Sequence, residues 1–169
     1  KRRLEYLVVL GTTAESATLS AEEKKKVIEH IIKVNNKRLP LVLGIGGNNT
    51  LEFKKQIEET DPSAFEAVLS VSPYYNKPNQ EGLYQHYKMI ASTGKKIIMY
   101  NVPSRTGQNM EASTTLRLAK EFPNLCLIKE AAPNILQYFD ILRKKPEGFS
   151  LVSGDDEYTL PVTLAGGDG

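Results

Sequence analysis

Lys129 ends a short apolar run, Leu125-Cys126-Leu127-Ile128-Lys129-Glu130, about one strand–helix unit after Tyr100-Asn101-Val102-Pro103-Ser104-Arg105-Thr106-Gly107. A lysine turned inward at the end of a strand loses hydration. Its ammonium becomes the costlier form, and the neutral amine is freed to attack a carbonyl. Imine formation is therefore the leading chemistry. The plainer alternative is a solvated strand-end lysine paired with Glu130, which is just as common when a lysine is taken alone. Its neighbours shift the balance. Tyr100 offers a phenol that can relay protons, or that can simply fill a core. Arg105 lies between Pro103 and Gly107 in a loop stiff enough for its guanidinium to grip a carboxylate bidentately. Thr12 and Thr13 follow an apolar run and Gly11, which sets hydroxyls and N–H groups where a small anion could bind, or makes an ordinary turn.

The elements that must position these groups repeat one pattern: an apolar run, a loop rich in Gly, Pro, Ser, Thr and Asn, then helical spacing. The runs are 4–10, 39–45, 67–71, 96–100, 125–129 and 149–152. Ser20 and Glu23 form a capping box ahead of a helix whose stripe is Val27, Ile28, Ile31, Ile32 and Val34. Asn49 caps a second helix, and a third begins near Gln80. A helix over 113–121 bridges the fourth and fifth runs. Strand alternation puts Leu125, Leu127 and Lys129 on one face, and Ile98 and Tyr100 on one face of the preceding strand, so both polar groups aim at one interior.

Six parallel strands with helical crossovers allow an open doubly wound sheet or part of a closed (β/α)8 TIM barrel. The loops favour the barrel. Polar residues follow almost every strand (Thr12 and Thr13, Asn48, Tyr75, Arg105, Lys129, Asp155), whereas an open sheet gathers them at one switch point. A full barrel takes about 250 residues. The chain is accordingly expected to be an internal portion of a longer polypeptide, a single partial barrel over 1–169 that is poorly stable and little active alone.

Lys and Arg total 22 against 20 Asp and Glu, which leaves no long-range field to hold nucleic acid or a membrane. No apolar run approaches the roughly 20 residues that cross a bilayer. Cys126 is the only cysteine, so no internal disulfide can form; a buried thiol in a reducing cytoplasm is expected. His30 and His86 fall in helical stretches without clustered carboxylates, so they read as solvated or capping side chains, and no metal is expected. Gly44-Ile45-Gly46-Gly47-Asn48-Asn49 matches a dinucleotide fingerprint poorly, because Asn49 stands where its third glycine belongs. No cofactor is expected.

Taken together, Gly11-Thr12-Thr13-Ala14-Glu15-Ser16, Pro73-Tyr74-Tyr75-Asn76-Lys77-Pro78, Tyr100-Asn101-Val102-Pro103-Ser104-Arg105-Thr106-Gly107 and Ile128-Lys129-Glu130 closely resemble the dihydrodipicolinate synthase family of pyruvate-dependent class I aldolases. The resemblance implies a lyase in which Lys129 forms a Schiff base with pyruvate. Tyr100, Thr12 and Tyr75 would form a hydroxyl chain for protons, Tyr75 acting across a subunit interface. Thr13 would hold the pyruvate carboxylate, Arg105 the carboxylate of aspartate semialdehyde, and Gly154 would lie by the incoming substrate. A homo-oligomer, a dimer of dimers, is implied. So is lysine feedback through Ser16, Ala17, Asn48, Glu52 and Tyr74, although Ala21 and Lys24 replace histidines of strongly regulated members. Ala14 replaces the commoner glycine. Arg105 argues against a sugar-acid aldolase of the sialate-lyase kind, and the complete motif set argues against a non-catalytic small-molecule-binding relative.

Overall fold

The computed structural model describes residues 4–169. Six parallel strands, β1 (Leu7–Val9), β2 (Leu41–Ile45), β3 (Ala67–Val71), β4 (Ile97–Asn101), β5 (Leu125–Glu130) and β6 (Ser150–Ser153), lie side by side in chain order. A doubly wound sheet reverses its strand order at a switch point. Here every crossover steps the same way, so the sheet curls into a half-barrel with its helices outside. The first strand, Leu7–Val9, stops one residue before the end of its apolar run because Leu10 takes a left-handed φ of 56°, which ends the pleat. Gly44 on β2 makes room for that turn: a Cβ there would stand 2.4 Å from the Leu10 carbonyl oxygen.

Helix α1 (Ala21–Asn35) opens on the expected capping box, with Ser20 N–H donating to Glu23 Oε2 at 2.8 Å and Glu23 N–H donating back to Ser20 Oγ. Such a cap contributes about 1 kcal/mol. Asn49, Asn79, Asn134 and Asp155 cap α2 (Thr50–Glu59), α3 (Gln80–Ala91), α6 (Ile135–Lys144) and α7 (Asp156–Leu164). The remaining helices are the short α4 (Pro103–Thr106) and α5 (Ala112–Glu121). Each capped start fixes where a strand-to-helix loop must end, and those loops carry the candidate residues.

Alternation divides the strand side chains into two layers. Ile97, Met99, Ile128 and Leu151 face the helices and pack with Tyr87 and Tyr138. Val42, Leu69, Ile98, Tyr100 and Leu127 face the barrel interior. One expectation needs correction. Register pairs Ile97 with Leu125 but Ile98 with Leu127, so Cys126 is an extra residue in β5. This bulge turns Leu125 into the helix-facing layer, where simple alternation had placed it inward with Leu127 and Lys129. Leu127 and Lys129 remain inward, opposite Ile98 and Tyr100. The Cys126 thiol is half-buried where a buried one was expected, and burial pushes its pKa up, away from reactivity.

His86 also departs from expectation. It is buried, with Nδ1 2.9 Å from Thr50 Oγ1 and its ring set edge-on between Phe53 and Tyr87. Its position on α3 faces α2 instead of solvent, and desolvation lowers its pKa to about 4. Beyond α7, Asp168 N–H donates to Leu151 O and Ser153 N–H to Gly169 O, so this segment lies along the outer edge of β6. Among the described residues no helix is long and apolar enough to cross a membrane.

Candidate active site

The polar residues gather at the C-terminal ends of the strands. Register sets Lys129 beside Tyr100, and the lysine Nζ stands 4.5 Å from the centre of the phenol ring. Burial lowers the Lys129 pKa, with Asp156 pulling the other way; the amine is therefore shifted toward the neutral, nucleophilic form. Burial raises Tyr100, while the Arg105 charge and the Thr12 hydroxyl pull it back down. A phenol held between these influences can exchange a proton with groups in the same cavity.

That cavity has a volume of about 90 Å³, and Thr12, Thr13, Leu69, Tyr100 and Lys129 are among its walls. At roughly 30 Å³ per water in the liquid, it accommodates a molecule of a few heavy atoms. Thr12 and Thr13 lie on a single 3-10 turn, Thr12–Ala14. Ala14 fits there because the left-handed residue is its neighbour Glu15, at φ 53°. Gly154, after β6, lies against the lysine stem: a Cβ would stand 2.9 Å from Lys129 Cε, and its N–H donates to Glu130 O at 2.6 Å. Arg105 sits exposed on α4, whose end requires a glycine, Gly107 at φ 71°.

Tyr75 is not brought to this cavity. It is 88% exposed at φ 70°, a left-handed conformation that costs a tyrosine on the order of 1 kcal/mol. Asn76 Nδ2 donates to Asn48 O at 3.0 Å and ties this loop to the one after β2. Ser16 and Ala17 lie on a second 3-10 turn, Asn48 in the β2–α2 loop, Glu52 in the first turn of α2, and Tyr74 beside Tyr75. None of these lines the Lys129 cavity.

Sequence reasoning missed a second polar layer directly behind the site. Glu130, taken as a possible partner for Lys129, instead points to the helix side and is fully buried. Its carboxylate accepts hydrogen bonds from Asn101 Nδ2, Ala132 N–H and Gln137 Nε2 at 2.8–2.9 Å. The available signal was parity: Asn101 and Glu130 follow Tyr100 and Lys129, so they face an otherwise apolar layer, where a carboxylate must find donors. Burial raises its pKa to about 7, against the pull of these donors.

Two opposing pH effects follow. His86, lowered in the fold, adds stability that is present above its ordinary pKa and lost as pH falls toward about 4. Glu130, raised in the fold, adds stability that is present below its ordinary pKa and lost as pH rises toward about 7. Each slope is about 1.4 kcal/mol per pH unit, so they largely cancel from pH 4.5 to 6.5. Urea unfolding across that range should show nearly constant stability. His86→Leu should then show stability falling as pH rises; a flat profile in that variant contradicts the assignment.

Parallel strands in chain order, with every polar loop at one end, define the class: a (β/α)8-barrel fold, of which this chain forms six units. Within that class the chain belongs to the dihydrodipicolinate synthetase family, whose profile matches residues 1–169. A 4-hydroxy-tetrahydrodipicolinate synthase of Flavobacterium psychrophilum is 60% identical over 98% of this chain and 57% of its own length. The pyruvate-complexed dihydrodipicolinate synthase of Acinetobacter baumannii superposes with a TM-score of 0.91 at 43% identity, over 98% of this chain and 57% of that one. A monomeric dihydrodipicolinate synthase variant superposes with a TM-score of 0.93 at 39% identity, over the same shares. The chain thus spans little more than half the length of the relatives it matches.

Proposed function

We propose that the protein is a Schiff-base lyase that condenses pyruvate with L-aspartate semialdehyde to give 4-hydroxy-tetrahydrodipicolinate, with residues 1–169 forming part of one catalytic domain. The observation that carries this reading is the desolvated Lys129 amine, held against Tyr100 in a cavity of keto-acid size. Its family membership and the pyruvate bound in the Acinetobacter baumannii relative support it.

In this mechanism neutral Lys129 adds to the pyruvate carbonyl and water leaves, giving an imine that serves as an electron sink. Thr13 holds the pyruvate carboxylate. Loss of a methyl proton gives the enamine, with Tyr100 and Thr12 carrying protons to and from the site. The enamine carbon attacks the aldehyde, and the semialdehyde's own amine then displaces Lys129 as the ring closes. Arg105 binds the semialdehyde carboxylate, and Gly154 leaves space beside the lysine. Tyr75 completes the proton chain of a neighbouring subunit, a role its outward, strained placement suits. Ser16, Ala17, Asn48, Glu52 and Tyr74 serve as contacts for a regulatory lysine at the same interface.

The test compares acceptors on the full-length protein. Aspartate semialdehyde should be consumed with pyruvate far faster than aldoses; preference for an aldose would overturn the acceptor assignment. Arg105→Ala should reduce kcat/KM for the semialdehyde by about 10²-fold, an effect of roughly 2–3 kcal/mol for a lost charge-assisted pair. Its rate of imine formation with pyruvate should stay near the parent's.

A further inference from the structure

Two residues of the imine site, Tyr100 and Lys129, are each followed in sequence by a fully buried polar residue, Asn101 and Glu130. These two side chains are joined directly, Asn101 Nδ2 donating to Glu130 Oε1 at 2.8 Å. The same carboxylate accepts Gln137 Nε2 from α6 at 2.9 Å and Ala132 N–H from the strand's own exit at 2.8 Å. Asn101 reaches on to the segment that leaves the Arg105 loop, with its Oδ1 accepting Met110 N–H at 3.0 Å and its Nδ2 donating to Asn109 Oδ1 at 2.8 Å. The main chain of Glu130 makes two more bonds through its carbonyl, from Gly154 N–H and from the Tyr138 hydroxyl. One residue therefore bonds to the end of β4, the exit of β5, the turn after β6 and helix α6.

We propose that Glu130 is a positioning residue for imine formation, its buried carboxylate clamping the strand ends that bear Tyr100 and Lys129 in register. The proposal rests on the lyase reading above. All three partners of the carboxylate, two side-chain amides and the Ala132 backbone N–H, are donors, so a group with acceptors on both oxygens satisfies them. Burial lets no water substitute for a lost partner, which makes the geometry all-or-none. Lys129 lies one residue away on the opposite face, and a twist of β5 would carry its amine out of the cavity. Rigid support of this kind holds a reacting group to a fraction of an ångström.

Glu130→Gln keeps the shape but turns one acceptor into a donor that faces another donor. In the full-length protein, borohydride trapping of pyruvate on Lys129 should fall about 10–100-fold per folded molecule, the range expected when a reacting group is displaced by about 1 Å. The pH midpoint of trapping should also rise, as Lys129 regains water while Asp156 stays near it. Gln137→Leu removes one donor and leaves the carboxylate; it should move both readouts the same way by a smaller amount, and it decides the matter if Glu130→Gln fails to fold. Folded variants that trap pyruvate at the parent rate with the parent midpoint overturn the proposal alone. A parent protein that forms no adduct overturns the lyase reading and the proposal with it.

Discussion

Lys129→Ala should retain the fold and lose turnover by roughly 10⁴-fold or more, as expected when the nucleophile of a concerted unit is removed. The lysine stem is half-buried, and its ammonium is already disfavoured by desolvation. Truncation gives up some packing of the stem and relieves the cost of the buried charge, so stability should change by no more than about 1 kcal/mol. Lys129→Arg should be equally inactive, because a guanidinium stays protonated and cannot add to a carbonyl. Steady-state assays with pyruvate and aspartate semialdehyde, beside a thermal melt, check both. Turnover above a few per cent of the parent's in either variant would place the nucleophile elsewhere.

Gly154→Val should be the most damaging change at a residue that takes no part in the chemistry. A Cβ at this position would stand 2.9 Å from Lys129 Cε and 3.0 Å from Ala131 Cβ. The nearest obstacle is the far end of a flexible side chain, so the chain should fold and the lysine should move. Displacing a reacting amine by about 1 Å costs on the order of 10²-fold. Gly154→Ala should show the same direction with a smaller loss. Trapping rates that are unchanged in the valine variant would mean that Lys129 works from a position other than the one it holds here.

Much of this was legible in the sequence because period and punctuation are local. Polar residues after nearly every strand indicated a barrel, and the chain-order sheet agrees. The capping box at Ser20 and the Asn49 cap marked two helix starts closely. Period 2 also brought Tyr100 and Lys129 to one interior, as their register pairing has it. What local pattern cannot carry is an insertion or a partner distant in sequence. The Cys126 bulge changes the parity of β5, so Leu125 was misplaced while Lys129 was not. His86 read as a solvated helix residue because Thr50 and Phe53, which enclose it, lie on another helix. Glu130 read as a strand-end charge because its donors come from Asn101 and Gln137, on β4 and α6. Tyr75 illustrates a different limit: it is exposed on this chain, away from the Lys129 cavity, and no local pattern in the sequence carries what would surround it.

We propose that Lys129 carries the substrate as an imine. Borohydride reduction of the full-length protein with pyruvate, followed by peptide mass mapping, tests it most directly. A single reduced pyruvate adduct is expected on the peptide containing Lys129, absent without pyruvate. A folded preparation that yields no adduct, or one on another lysine, contradicts it.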